Sequence, residues 1–226
     1  MNTSHAFLAA ATLLAFTACE SELASDVNQD RIHTVYELFY NADEDITRAR
    51  ATFFLGSETG TRLELTDAAT VTFDGEPLQW NDVISFYELE MAGFRQNGTF
   101  SYTDLNDETF VNPASITATD FPDDNADIEQ GRAYELTWDG PALGDDQTIS
   151  LTLLTQNAVG NDRLFLELDR GATKIVLPGN DLDNLVSGPA TLVLDRFEDS
   201  PLAQGTGAEG KVIGHYRAES VTVMVD

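Results

Sequence analysis

Apolar and polar residues alternate one for one along Thr148-Ile149-Ser150-Leu151-Thr152-Leu153, which puts Ile149, Leu151 and Leu153 on one face of an extended strand. The same period of two recurs through the chain. Residues 163–168 place Leu164, Leu166 and Leu168 on one face, and residues 221–225 group Val221, Val223 and Val225. Tyr134, Leu136 and Trp138 share a face, as do Ala69, Val71 and Phe73. Further strands are expected over residues 35–40, 51–55, 62–65, 84–91 and 191–194. A helix repeats every 3.6 residues, so this pattern predicts an all-β body.

Turn chemistry agrees with that expectation. Asn97-Gly98, between residues 94–96 and 99–102, predicts a two-residue hairpin, because a type I′ turn needs positive φ at both central positions. Asp74-Gly75 predicts a second turn and Asp139-Gly140-Pro141 a third. One helical turn is expected over residues 180–188, where Leu182 meets Leu185 and Val186, Asn180 or Asp181 caps the start and Gly188 the end. Residues 119–131 are acidic, contain Pro122 and are poor in apolar side chains, so they read as a linker. That predicts two β units, residues 31–118 and 119–226, each near the roughly 100 residues of a small sandwich. One larger sandwich or barrel is the alternative.

The 226 residues include 39 acidic and 12 basic side chains, a net charge of −27. Phosphate backbones need a basic footprint, so nucleic acid is excluded as a partner. Of the bases 10 are Arg and 2 are Lys, a balance that resembles salt-adapted proteins; recognition of a basic partner or a cation is the alternative. A single Cys excludes an internal disulfide framework.

Residues 6–18 are apolar except for Thr12 and Thr17, too short to span a bilayer but suited to the core of a secretory signal. They end in Phe16-Thr17-Ala18-Cys19. This resembles the lipobox of bacterial lipoproteins: an apolar residue, a small residue, Ala or Gly, then Cys. Phe16 stands where Leu is usual, and residues 1–5 contain no Lys or Arg. The resemblance implies that residues 1–18 are removed as a signal peptide and that Cys19 is acylated. The protein would then sit in the cell envelope, at the outer membrane because Glu20 rather than Asp follows. Several acyl chains give a stable anchor. A plain signal peptide or a first helix is the alternative. Residues 19–30 would form the lipidated Cys and a disordered acidic tether, whose last eleven residues reach about 35 Å when extended.

The second half also resembles immunoglobulin-like β-sandwich domains of envelope proteins, in Leu136-Thr137-Trp138-Asp139, in residues 149–153 and in residues 185–194. The resemblance implies two tandem sandwiches of that type.

Catalytic chemistry finds few footholds. Past residue 18 the histidines are His33 and His215, without the paired spacing of a zinc or copper site. There is no G-x-S-x-G elbow. Glu88 and Glu90 share a strand face, the arrangement a glycosidase could use, but an alternating strand also puts acids on its wet face. Asp123, Asn125 and Asp127 open like a calcium loop, yet Ile128 stands where Gly is needed and Tyr134 at position twelve. They read as a solvated linker, with a looser calcium site as the alternative. Asp43-Glu44-Asp45 and Asp181/Asp183 read as solvated too. Phe39, Tyr40 and Trp80 could form a sugar platform, but Trp80 is in phase with Leu78 and Trp138 with Leu136, which predicts core positions. The expectation is a non-catalytic binding or structural module without cofactor or metal. Its partners would be the membrane, through lipid on Cys19, and an envelope protein or glycan. A carbohydrate- or calcium-dependent binding protein is the alternative, and an enzyme of unrecognised type a third reading.

Overall fold

The computed structural model describes residues 21–66, 68–155 and 162–226. The signal peptide and the acylation expected at Cys19 lie outside the described residues. Within them the chain is all-β. The first half supplies β1 (Glu22–Leu23), β2 (Ile32–Asn41), β3 (Ile46–Leu55), β4 (Arg62–Glu64) and β5 (Thr70–Phe73). It continues with β6 (Glu76–Pro77), β7 (Gln79–Asn81), β8 (Phe86–Ala92), β9 (Asn97–Thr103) and β10 (Thr109–Ser115). The second half supplies β11 (Tyr134–Thr137), β12 (Gln147–Thr155), β13 (Arg163–Glu167) and β14 (Lys174–Leu177). A single helical turn, α1 (Gly179–Leu182), precedes β15 (Gly188–Pro201), β16 (Gly210–Arg217) and β17 (Val221–Val225).

Among the described residues the largest sheet has eleven strands, in the order β1-β4-β3-β2-β16-β15-β12-β13, with β17 on β15, β8 on β3 and β7 on β8. Two smaller sheets, β10-β9-β5-β6 and β11-β14, complete the body. Alternation explains the layering. Ile32, Tyr36 and Leu38 of β2 point inward, where the Tyr36 ring stacks on Phe100 of β9 at 4.6 Å. Phe53 of β3 meets Tyr102 at 4.7 Å. Leu136 of β11 and Ile175 and Leu177 of β14 join Ile149, Leu151 and Leu153 in the same core.

The linker at residues 119–131 separates the two smaller sheets, as a two-unit division predicts, but the large sheet runs across it. β2 and β16 form a parallel ladder from Thr34↔Gly210 to Asn41↔Arg217. Each would otherwise leave a long edge of unpaired amides. The linker is packed as well: Asp120 bridges Asp139, and Ile128 is fully buried with its N–H donated to Met224 O.

Four local expectations are corrected. The acidic segment read as a disordered tether is folded from Glu22 onward. β1 pairs in parallel with β4, Ala24 is buried, and Gln29 Nε2 donates to Ala24 O at 2.8 Å and Val27 O at 3.2 Å. One buried amide side chain thus organises a stretch whose composition looks solvated.

Asn97-Gly98 makes no hairpin turn. It lies inside β9, opposite Ser115 and Ala114 of β10. A Cβ on Gly98 would fall 2.0 Å from Phe73 Cζ, so the glycine is there to let that buried ring lie over the backbone. Gly98→Ala is therefore expected to lose about 1–3 kcal/mol, read as a lower urea midpoint. The real β9–β10 turn is held by Asp104, whose Oδ1 accepts the N–H of Asn106 at 2.8 Å and of Glu108 at 2.9 Å. Asp74-Gly75 does turn, with φ of 49° and 86°.

Leu164 and Leu166 of β13 and Leu168 just past its end share a face, but it is the outer one, 62%, 55% and 63% exposed, and half-buried Phe165 takes the inner side. The helical turn ends at Leu182, and Gly188 opens β15 instead of capping a helix.

Candidate functional site

The outer face of the large sheet carries charge in rows set by strand register. Glu90, Arg48, Phe39, His215 and Phe197 lie side by side across β8, β3, β2, β16 and β15. The next row on that face is Glu88, Arg50, Glu37, Ile213 and Asp199. Arg217 and Asp195 are neighbours one step the other way.

The rows are cross-linked. Arg48 Nε is 2.9 Å from Glu90, and its guanidinium also pairs with Glu44. Arg50 reaches Glu88 at 2.6 Å and Glu37 at 3.1 Å, with its Cζ 5.1 Å from the Phe39 ring centre. His215, 7% exposed, is held between Phe39 and Phe197, both stacked at 4.2 Å. Its Nδ1 is 3.1 Å from Glu37 Oε1 and its Nε2 2.7 Å from Asp195 Oδ1. Asp195 also accepts from Arg217 Nε at 2.8 Å and Nη2 at 3.2 Å.

Two carboxylates facing both ring nitrogens can be satisfied by the imidazolium alone, which donates from both. Burial pushes the His215 pKa down, but the hydrogen bonds to Asp195 and Glu37 outweigh it and the net shift is upward. Burial raises both acids; hydrogen bonds from His215, joined by Arg217 at Asp195 and by Arg50 at Glu37, bring them below the usual carboxylate range. Neither ring nitrogen is free to take a proton from a substrate, so His215 acts as an electrostatic tie between β2, β15 and β16.

Beside this network opens a cleft of about 560 Å³ lined by Glu37, Asp146, Gln147, Thr148, Leu168, Phe197, Asp199 and Ile213. Three acids face it over an apolar floor. Glu37 is engaged by Arg50 and His215, and Asp199 by Lys211 at 3.4 Å. Asp146 sits in the left-handed region at φ 57°, and its carbonyl accepts the Asp199 N–H.

No protein-family model matches the chain, and no curated protein does.

The other residues singled out by sequence are dispersed. Glu88 and Glu90 do share a face, but each is bound to an arginine. His33 Nδ1 is 2.9 Å from Ala208 O, which makes that nitrogen the donor. Asp127 Oδ1 accepts the Met224 N–H and so fastens the linker to β17, while Asn125 Nδ2 donates to Pro122 O within the linker. Among the described residues no three His, Cys, Asp or Glu side chains converge to hold a metal ion. Asp43 accepts the Ser220 N–H at 2.8 Å, and Asp45 accepts Tyr40 OH at 3.0 Å. Phe39, Tyr40 and Trp138 are buried, and half-buried Trp80 leans on Tyr87 at 5.0 Å, so these rings form no exposed platform. No helix among the described residues is long and apolar enough to cross a membrane.

The network was missed as a unit because its members lie far apart in the chain: Glu37 and His215 are 178 residues apart. One signal was available. Arg48-x-Arg50 and Glu88-x-Glu90 have the same two-residue spacing and opposite charge, which is what two adjacent strands need to pair.

Proposed function

We propose that the chain is a membrane-anchored bacterial lipoprotein of the cell envelope and a non-catalytic binding module, which takes a basic segment of an envelope protein in the cleft of Glu37, Asp146 and Asp199. The cleft carries the binding part of this reading: its acids stand over Leu168, Phe197 and Ile213, a lining that suits a cationic head on an apolar stem. The net charge of −27 adds long-range attraction for such a partner. The Phe16-Thr17-Ala18-Cys19 motif carries the location, with an outer-membrane anchor on Cys19. The immunoglobulin-like likeness belongs to the same reading, for the layered strands of residues 134–194 that carry it. Three residues lead from Cys19 to Glu22, so the anchor would hold the folded body within about 10 Å of the headgroups instead of about 35 Å.

Titration with trilysine, followed by amide NMR shifts, tests the cleft. Shifts are expected at Thr148, Phe197 and Ile213, weakened severalfold by Asp146→Asn and abolished by added salt. Asn tolerates the left-handed backbone of position 146, so that variant leaves the turn intact. Shifts confined to other faces overturn the assignment; shifts at the cleft with a neutral oligosaccharide and none with trilysine favour a glycan ligand.

A further inference from the structure

We infer that β13 is a self-complementary edge through which two copies of this chain join their large sheets into one. Among the described residues, β13 has a single ladder partner, β12. β14, which follows it in sequence, ladders with β11. The outer side of β13 carries Leu164 and Leu166, continued by Leu168 and flanked by Leu154 of β12, all exposed. β14 and Asp181 of α1 lie beside β13 without laddering to it, so one side of its backbone is open, and an apolar edge strand with an open side is what a sheet protein avoids unless the edge is used.

The occupant follows from the order of residues in the strand. β13 reads Arg163-Leu164-Phe165-Leu166-Glu167. Two such strands, antiparallel about a two-fold axis at Phe165, place Arg163 of each copy opposite Glu167 of the other. On the opposite face Leu164 meets Leu166 twice. Both charged pairs are complementary and both apolar pairs are matched, the self-complementarity a two-fold interface demands. A one-residue slip puts Arg163 opposite Leu166 and turns leucines toward the wrong face, so the register is specified. Within the chain, Arg163 Nε donates to the Asp181 carbonyl at 3.2 Å and Glu167 Oε1 accepts the Asp169 N–H at 2.9 Å; neither contact uses an opposite charge.

Charge reversal tests the register. The full chain carrying Cys19→Ala, so that acyl chains play no part, is expected to sediment as a dimer. Arg163→Glu alone sets Glu against Glu at both pairs, and Glu167→Arg alone sets Arg against Arg. Each is expected to halve the measured mass. An equimolar mixture of the two single variants restores both pairs in a heterodimer and is expected to regain the dimer mass, an outcome that a misfolded variant cannot give. A wild type that stays monomeric at the highest soluble concentration overturns the proposal, as does a dimer indifferent to the single reversals or a mixture that stays monomeric.

Discussion

Arg196→Met is expected to lose about 2–4 kcal/mol of folding stability. Arg196 lies on β15 between Ile149 of β12 and Tyr216 of β16, and is 2% exposed. Its guanidinium donates to Thr119 Oγ1 at 3.0 Å, Pro141 O at 2.8 Å, Ala142 O at 3.1 Å and Gln147 Oε1 at 2.5 Å. One side chain therefore closes the linker and the loop after Trp138 onto the large sheet. Burial lowers its pKa and the nearby Glu198 charge only partly offsets this, yet a guanidinium stays protonated in proteins. A buried charge can often be exchanged for an apolar side chain at little cost. Here the exchange strands the Ala142 carbonyl, at about 1–3 kcal/mol for an unpaired buried group, leaves Pro141 O only the Trp138 indole N–H at 3.2 Å, and takes the guanidinium from Thr119 and Gln147 as well. Arg196→Lys keeps the charge but not the planar fork and should fall between. Urea unfolding at neutral pH checks the series, and a loss under about 1 kcal/mol for Met would show that water replaces the lost donors.

Asp195→Asn is expected to lose about 3–5 kcal/mol at mildly acidic pH and less on either side, because it unbalances a buried pair. The His215 pKa is raised in the folded state, so its contribution is complete below the ordinary value of 6.5 and is lost as pH rises through the raised value. Asp195 and Glu37 are lowered, so theirs are complete above 3.8 and 4.5 and are lost as pH falls through the lowered values. All three act together between 4.5 and 6.5. The wild type should be most stable there, and Asp195→Asn should flatten the maximum. At alkaline pH Arg217 still pairs with Asp195 in the wild type, so a residual difference persists. Urea midpoints across the pH range check this, and a variant deficit that does not change with pH would contradict a charged His215.

The contrast between strands and partners shows what is legible in such a chain. Alternation placed Ile149, Leu151, Leu153, Tyr134, Leu136 and Trp138 in the core correctly, because a buried face leaves its period in the sequence. It misjudged Leu164, Leu166 and Leu168, since Phe165 on the opposite face supplies an equally apolar choice for the inside. Period carries no information on which strand lies beside which. The parallel β2–β16 ladder, and with it the His215 network, was therefore invisible, although Glu37 and His215 were each plain to see. The Asn97-Gly98 turn failed for a different reason: two chemistries ask for glycine, positive φ and close approach, and here Phe73 needs the second. Gln29 was hidden by composition, because a polar segment can be ordered by one buried amide.

The proposed envelope anchor on Cys19 can be read from the intact mass and membrane partitioning of the expressed wild type beside Cys19→Ala. The wild type is expected to lose residues 1–18, gain acyl mass and pellet with the membrane, while Cys19→Ala gains none and stays soluble. A wild type that is soluble and unmodified at Cys19 would contradict it.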